Sequence, residues 1–354
     1  MALHDSTHTA TSTVVGPKDG HVLWTRDLGG NITPGPVVGS DGTIYSASST
    51  GVLFALNPAT GSVRWRFNGG GAFAGGDDLS TSPTITSSGA LLWPGPSDTL
   101  FELSATGAKL WSHTFSSEVL SPVINGSRAY IATAGGTVWA VDLGGSLPQL
   151  RWSLHVGHVS FGSPVVGPDG NVVTTADNKV VAIADRGATG VIRWQHTLDA
   201  QVEVSASVGP LGSVYVESDR ATVYAFGSDG HAEWHKKIGQ ESYSSSSVTA
   251  SGLLYFGDNG GVLHIVRASS GEPVAADHGL GGLWAAQAID ANGDVYFGTQ
   301  GKQIDGYGPD GHRLFAITAS GRIDSYPALT GNGVLVIGDE KGTLYGIGDA
   351  GASH

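Results

Sequence analysis

The sequence predicts an all-β fold: an eight-bladed β-propeller of four-stranded antiparallel blades, closed by the N-terminal strand pairing with the last blade. Three observations carry that expectation. An aromatic or apolar residue recurs after a short β-prone run at Trp24, Trp65, Trp111, Trp152, Trp194, Trp234, Val274 and Phe315, at spacings of 41, 46, 41, 42, 40, 40 and 41. A spacer-strand-strand unit recurs eight times, once after each of these positions. The 55 glycines of the 354-residue chain, about twice the usual ~7% share, fall at turns without a Gly-X-Y period.

Each unit opens on a Gly/Ser-rich loop and a short apolar strand, as in Pro36-Val-Val, Pro83-Thr-Ile, Pro122-Val-Ile, Pro164-Val-Val and Pro327-Ala-Leu. A turn such as Asp41-Gly42, Asp169-Gly170, Asn292-Gly293 or Asn332-Gly333 follows, because such pairs accept the positive φ of tight hairpins. The second strand reads Thr43-Ile-Tyr45 or Ser213-Val-Tyr215, and the third Val52-Leu-Phe-Ala-Leu56 or Thr137-Val-Trp-Ala-Val141. A Gly turn, Ala59-Thr-Gly61 or Ser228-Asp-Gly230, leads into the Trp strand. No window carries a helical 3.6 period. The eighth copy ends near Ile347 without a Trp strand, whereas Gly20 to Trp24 is a Trp strand without predecessors. Placing it on the eighth copy closes the ring and removes the open edges that an array would expose. The predicted organisation is a disordered tail over 1–12, a single propeller over 13–348 and a C-terminal tail over 349–354. The recurring indoles are read as packing between neighbouring blades.

Composition narrows the partners. With 31 acidic residues against 18 Lys plus Arg, the formal charge is −13 and no basic cluster stands out, which disfavours nucleic acid and anionic membrane surfaces. There is no Cys, so disulfides, thiolate metal sites and cysteine lipidation of this chain are excluded. No apolar stretch approaches the roughly 18 residues of a membrane-spanning helix. The polar segment Met1 to Ser12 has no apolar core and is not an intact signal peptide.

The pattern Ser163-Pro-Val-Val with Asp169-Gly170, Thr137-Val-Trp-Ala-Val-Asp, and Ala59-Thr-Gly61 before Val63-Arg-Trp65 resembles the pyrroloquinoline-quinone-like propeller repeat over residues 20 to 348. That group holds quinoprotein alcohol and glucose dehydrogenases, non-catalytic envelope propellers of the BamB-like branch, and similar sensor domains of some bacterial kinases. The resemblance to the dehydrogenases implies an adjacent Cys pair, which is impossible here, and a calcium triad that no motif of the chain matches. By length and blade count the resemblance favours the BamB-like branch, although the lipidated N-terminal Cys of that pattern is missing. It implies an extracytoplasmic location, periplasmic or secreted, with a cytoplasmic one as the alternative.

The loops joining the outer strand of one blade to the inner strand of the next should gather at one end of the channel. Register between blades puts Asn31, Asp78, Glu118, His158, Glu203, Glu241, Tyr243, Trp284, Arg322 and Asp324 near a common rim. Asn31, Asp78, Glu241, Trp284 and Asp324 are the expected ligand contacts. The longest loop, carrying Asp77 and Asp78, breaks the spacing and is a natural place for function. Two readings follow. The first is a non-catalytic binding or scaffold propeller that recognises a protein, peptide or glycan at one rim. It predicts a shallow rim with exposed aromatics around Phe73 and Trp284. The second is a hydrolase or lyase acting on a polar or carbohydrate substrate, with Glu118, His158, Glu203, Tyr243 and Arg322 as acid, base and electrophile candidates converging in a deep pocket. No metal is expected, since no His-x-x-x-His pair or calcium-loop signature occurs, and no cofactor. The oligomeric state is open, with a monomer favoured.

Overall fold

A computed structural model describes residues 11–73, 81–143 and 147–351. Among these residues eight four-stranded antiparallel sheets form in chain order. Blade one comprises Val37–Val38, Ile44–Ser48, Val52–Leu56 and Val63–Asn68, numbered outward from the channel. Blade five comprises Ser207–Val208, Val214–Ser218, Thr222–Phe226 and Ala232–Lys237, and blade six Ser247–Val248, Leu253–Gly257, Leu263–Arg267 and Pro273–Asp277. Blade seven comprises Ala288–Ile289, Val295–Gly298, Gln303–Tyr307 and Arg313–Thr318. In blade eight, Ala328–Leu329, Leu335–Gly338 and Thr343–Gly348 are completed by His21–Asp27, which runs antiparallel to the third strand with Thr25 opposite Tyr345. The expected closure is present.

The second and third strands are the buried ones. Each blade buries both faces against its neighbours, so Ile44–Ser48, Leu91–Gly95, Val172–Ala176 and Val214–Ser218 are buried at every position. Near the channel, where blades converge, bulky side chains give way to hydroxyls. Ser82 and Ser163 donate their backbone N–H to Ser121 Oγ and Ser205 Oγ of the next blade, both at 2.8 Å, and Ser325 Oγ donates to Pro34 O across the closing seam. These bonds satisfy buried backbone groups that no sheet ladder reaches.

The outer strand carries a feature that the repeat does not announce. In all eight blades its ladder slips by one residue just before the Trp position, so that Leu23, Arg64, Leu110, Arg151, Arg193, Glu233, Val274 and Leu314 are bulged out. A bulge bends and twists its strand. The residue after it is aimed at the next blade, where the indole N–H of Trp24, Trp65, Trp194 and Trp234 donates to Pro58 O, Ala105 O, Ser228 O and Ala268 O at 2.9–3.0 Å. The ring then lies on a turn glycine: a Cβ on Gly61, Gly107, Gly230 or Gly271 would stand within 2.4–2.7 Å of the indole. The indoles are therefore packing elements between blades, as expected. One register expectation is corrected. Val274 is the bulge residue, 47% exposed, and Ala275 opposite Ile265 holds the Trp position of blade six.

Residues 11–18 lie along blade seven. Thr11 bridges Ile289 in parallel, Ser12 N donates to Ile289 O, and Gly16 N donates to Asp290 Oδ2. Lys18 forms an ion pair with the buried Asp294.

Candidate functional site

The loops between blades and the turns between second and third strands share one end of the channel; the Asp-Gly and Asn-Gly turns occupy the other. At the first end a cleft of about 340 Å³ opens, lined by Thr33, Phe161, Glu203, Val204, Ser205, Tyr243, Ser245, Trp284, Asp324 and Tyr326. Six interblade loops contribute, so the cleft exists only in the closed ring. Its prominent side chains are aromatic. Trp284 is 37% and Phe161 44% exposed, large values for rings of that size in a packed β protein. Tyr243 meets Trp284 edge to face, with centroids 5.6 Å apart and planes at 77°. The loops are fixed from beneath by serines: Ser205 N donates to Ser245 Oγ at 3.1 Å, and Ser207 and Ser246 share a hydroxyl pair at 2.9 Å.

Beside Glu203, on one wall, stand two carboxylates that are not part of the lining, Asp219 and Glu241. Asp219, in the turn after Val214–Ser218, has its pKa pushed up to about 6, first by burial and then by the charges of Glu203 and Glu241. The Tyr243 hydroxyl is raised as well, by burial and then by Glu241, to which it is hydrogen-bonded, and Glu203. Asp219 Oδ1 is buried without a hydrogen-bond partner. Behind this wall Glu217 is 2% exposed and pushed up to about 8 by burial, against the opposing effect of the Ser242 and Ser246 hydroxyls. Geometry agrees that it is neutral. Ser242 Oγ lies 3.0 Å from Glu217 Oε2 and 2.7 Å from Gly257 O, and a hydroxyl has one proton to give. A protonated Glu217 can donate to Ser242, leaving the serine proton for Gly257.

Of the ten residues placed at the rim from the sequence, Glu203, Tyr243, Trp284 and Asp324 line this cleft, and Glu241 adjoins it through Tyr243. Asp324 accepts a hydrogen bond from Gln300 Nε2. Asn31 is a buried scaffold residue whose backbone N–H donates to Ser49 Oγ at 2.9 Å. Glu118 and His158 are exposed and line no part of the cleft; their carbonyls accept from Ala134 N and Asp177 N. Arg322 donates through Nε to Glu340 Oε2 at 2.6 Å. Asp78 lies outside the described residues. Phe73, expected as part of an exposed patch, packs against Trp93 with centroids 6.3 Å apart. Sequence reasoning passed over Phe161, Asp219 and Glu217. Phe161 belongs to an interblade loop and was within reach of the same rule; Asp219 required noticing that the second turn of each blade shares the rim.

The lining does not fit a quinone with its calcium ion. It offers two carboxylates, no cluster of three or more His, Asp or Glu placed to hold a metal occurs among the described residues, and the chain has no Cys.

Comparison with known proteins gives this architecture a family. The family profile described as outer membrane protein assembly factor BamB matches residues 10–87, 68–207 and 148–332. The curated BamB of Yersinia pestis is 27% identical over 159 residues, 40% of this chain, and that match spans 38% of the relative's length. Among solved structures, BamB from Moraxella catarrhalis superimposes with a TM-score of 0.72 at 17% identity, covering 93% of this chain and 99% of the other. A europium-containing methanol dehydrogenase reaches a TM-score of 0.81 at 11% identity, covering 98% of this chain and 97% of the other, a likeness of fold alone. Taken with the ring of eight sheets and its bulged outer strands, the profile match over most of the chain makes this protein a member of the BamB-like family of PQQ-type β-propellers.

Proposed function

We propose that this chain is a non-catalytic binding propeller of the bacterial envelope, which presents the rim cleft to a segment of a partner protein and thereby serves protein assembly. The observation that carries the reading is the pair of exposed aromatic rings, Trp284 and Phe161, flanking one cleft built from six interblade loops. Large exposed aromatics beside a concave surface are what protein recognition uses. The name of the matched family, an outer membrane protein assembly factor, supports an envelope role. No helix among the described residues is long and apolar enough to cross a membrane. The hydrolase or lyase alternative needs Glu118, His158, Glu203, Tyr243 and Arg322 to converge, and the cleft unites only Glu203 and Tyr243.

Photo-crosslinking in cells of the source organism tests the binding reading. A photoreactive amino acid at position 284 or 161 is expected to give a discrete protein adduct. The same group at position 211 is expected to give none, since Leu211 is 94% exposed on the turn at the opposite end. Equal adducts at all three positions, or none at the rim, would overturn it.

A further inference from the structure

The seam between blades six and seven departs from the repeat at two facing positions. Elsewhere a ring on one outer strand rests on a turn glycine of the next blade, as Trp194 does on Gly230, Trp234 on Gly271 and Phe315 on Gly20. Blade six offers Ala275 in that place. At six other seams the ring shares a core cluster with an apolar side chain of the next blade's third strand: Phe54, Phe101, Trp139, Val181, Tyr224 or Tyr345. Blade seven supplies Asp305 there. An apolar pair has become a small residue and a buried acid, and a cavity of about 370 Å³ opens at that seam.

The rest of the seat is intact. The turn Gly308-Pro-Asp-Gly311 repeats Gly227-Ser-Asp-Gly230. Gly311 N donates to Gly308 O at 2.9 Å, as Gly230 N does to Gly227 O at 2.8 Å, and both turn glycines have positive φ, 84° and 90°. A Cβ on Gly230 would stand 2.5 Å from the ring of Trp194, whose N–H reaches Ser228 O. No atom lies within 4 Å of a Cβ on Gly311, and the corresponding carbonyl, Pro309 O, accepts no backbone bond among the described residues.

A second acceptor is independent of the turn. Asp305 lines the cavity and is 0% exposed; its Oδ1 accepts from Arg313 Nε at 2.8 Å, whereas Oδ2 is buried without a donor. Buried acceptors left without donors are costly, and native proteins rarely tolerate them. An indole already serves a carboxylate elsewhere in this chain, Trp152 Nε1 donating to Asp185 Oδ1 at 3.0 Å. Arg313 borders the same space, and a guanidinium stacks on aromatic faces.

We propose that this cavity is a binding site for an indole ring from outside the chain, seated on Gly311 as Trp194 is on Gly230, with its N–H given to the acceptors Pro309 O and Asp305 Oδ2. The site is separate from the rim cleft and does not depend on how that cleft is used. The ring is the same chemistry whether it arrives free or on the tryptophan of a partner segment.

The test titrates the full chain with indole and with benzofuran, which keeps the shape and removes the N–H, each to about 2 mM by saturation-transfer NMR. A dissociation constant on the order of 1 mM is expected for indole. Benzofuran should bind at least about tenfold more weakly. Ala275→Trp, which fills the seat from within, should abolish indole binding, and Ala275→Leu, a smaller filler at this exposed position, should weaken it by about tenfold or more. A thermal midpoint no lower than the parent's confirms that a variant is folded. Equal affinity for the two rings, indole binding unchanged in the folded variants, or no indole binding would overturn the proposal. N-Acetyl-tryptophanamide separates the sources: binding as tight as that of indole assigns the site to a peptide-borne ring, and binding of indole alone assigns it to a free one.

Discussion

Glu217 shows how much a single buried carboxyl can govern. Its folded-state pKa of about 8 lies above the ordinary 4.5, so the fold holds the proton more tightly than the unfolded chain does. The stabilisation from that proton is complete below about pH 4.5 and is lost as the pH climbs to about 8. Glu217→Gln carries the neutral shape at every pH. Its stability relative to the parent should therefore rise between pH 5 and pH 8.5, by on the order of a few kcal/mol. Urea denaturation at the two pH values measures this; parallel changes in both proteins would show that Glu217 is ionised in the fold. In the sequence this residue reads as one polar letter in Val214-Tyr-Val-Glu-Ser218, and nothing local marks it as buried. Its burial follows from the ring, which covers both faces of every second strand.

At the scale of the strand, the bulge explains where the sequence was legible and where it was not. Repeat length, blade number and the order of strands all follow from short hydrophobic runs and Gly turns. The facing of the outer strand does not, because one looped-out residue exchanges its two faces. Where a Trp is present the indole itself marks the register; blade six has none, and so Val274 stood for Ala275. The small side chain has a visible consequence at the seam with blade seven. Gly311, which occupies the turn position that Gly271 holds under Trp234, has nothing within reach of a Cβ. A cavity of about 370 Å³ lies there, bordered by Ala276, Asp305, Tyr307, Gly311 and Arg313. Ala275→Trp should restore the missing ring, burying roughly 150–250 Å² and raising the thermal midpoint by a few degrees, about 1–2 kcal/mol. A lowered midpoint in a thermal melt would show that Asp305 and Arg313 already claim the space. The cleft was legible in part for a related reason: interblade loops can be recognised in the sequence, but which of them meet depends on the curvature of the closed ring.

The molecule as a whole depends on one pairing. His21–Asp27 is bound to Thr343–Gly348 along its length, and Trp24 rests on Gly346 and on the Gly61 turn of blade one. It thus joins the last blade to the first. A chain lacking residues 1–28 should lose its sharp cooperative melt, with a midpoint lower by ten degrees or more, on the order of several kcal/mol. A synthetic peptide spanning residues 17–28 added in excess should restore it. An unchanged melt of the shortened chain would show that the other sheets sustain the ring unaided.

The same pairing imposes an order on biosynthesis. The strand translated near the beginning must wait for the one translated near the end, so through most of translation the nascent polypeptide displays an incomplete arc with two unpaired margins. Such margins invite mispairing with neighbouring chains. During that interval the brevity of the strands nearest the channel, two or three residues each, is a safeguard, since they leave little for a stray strand to grip.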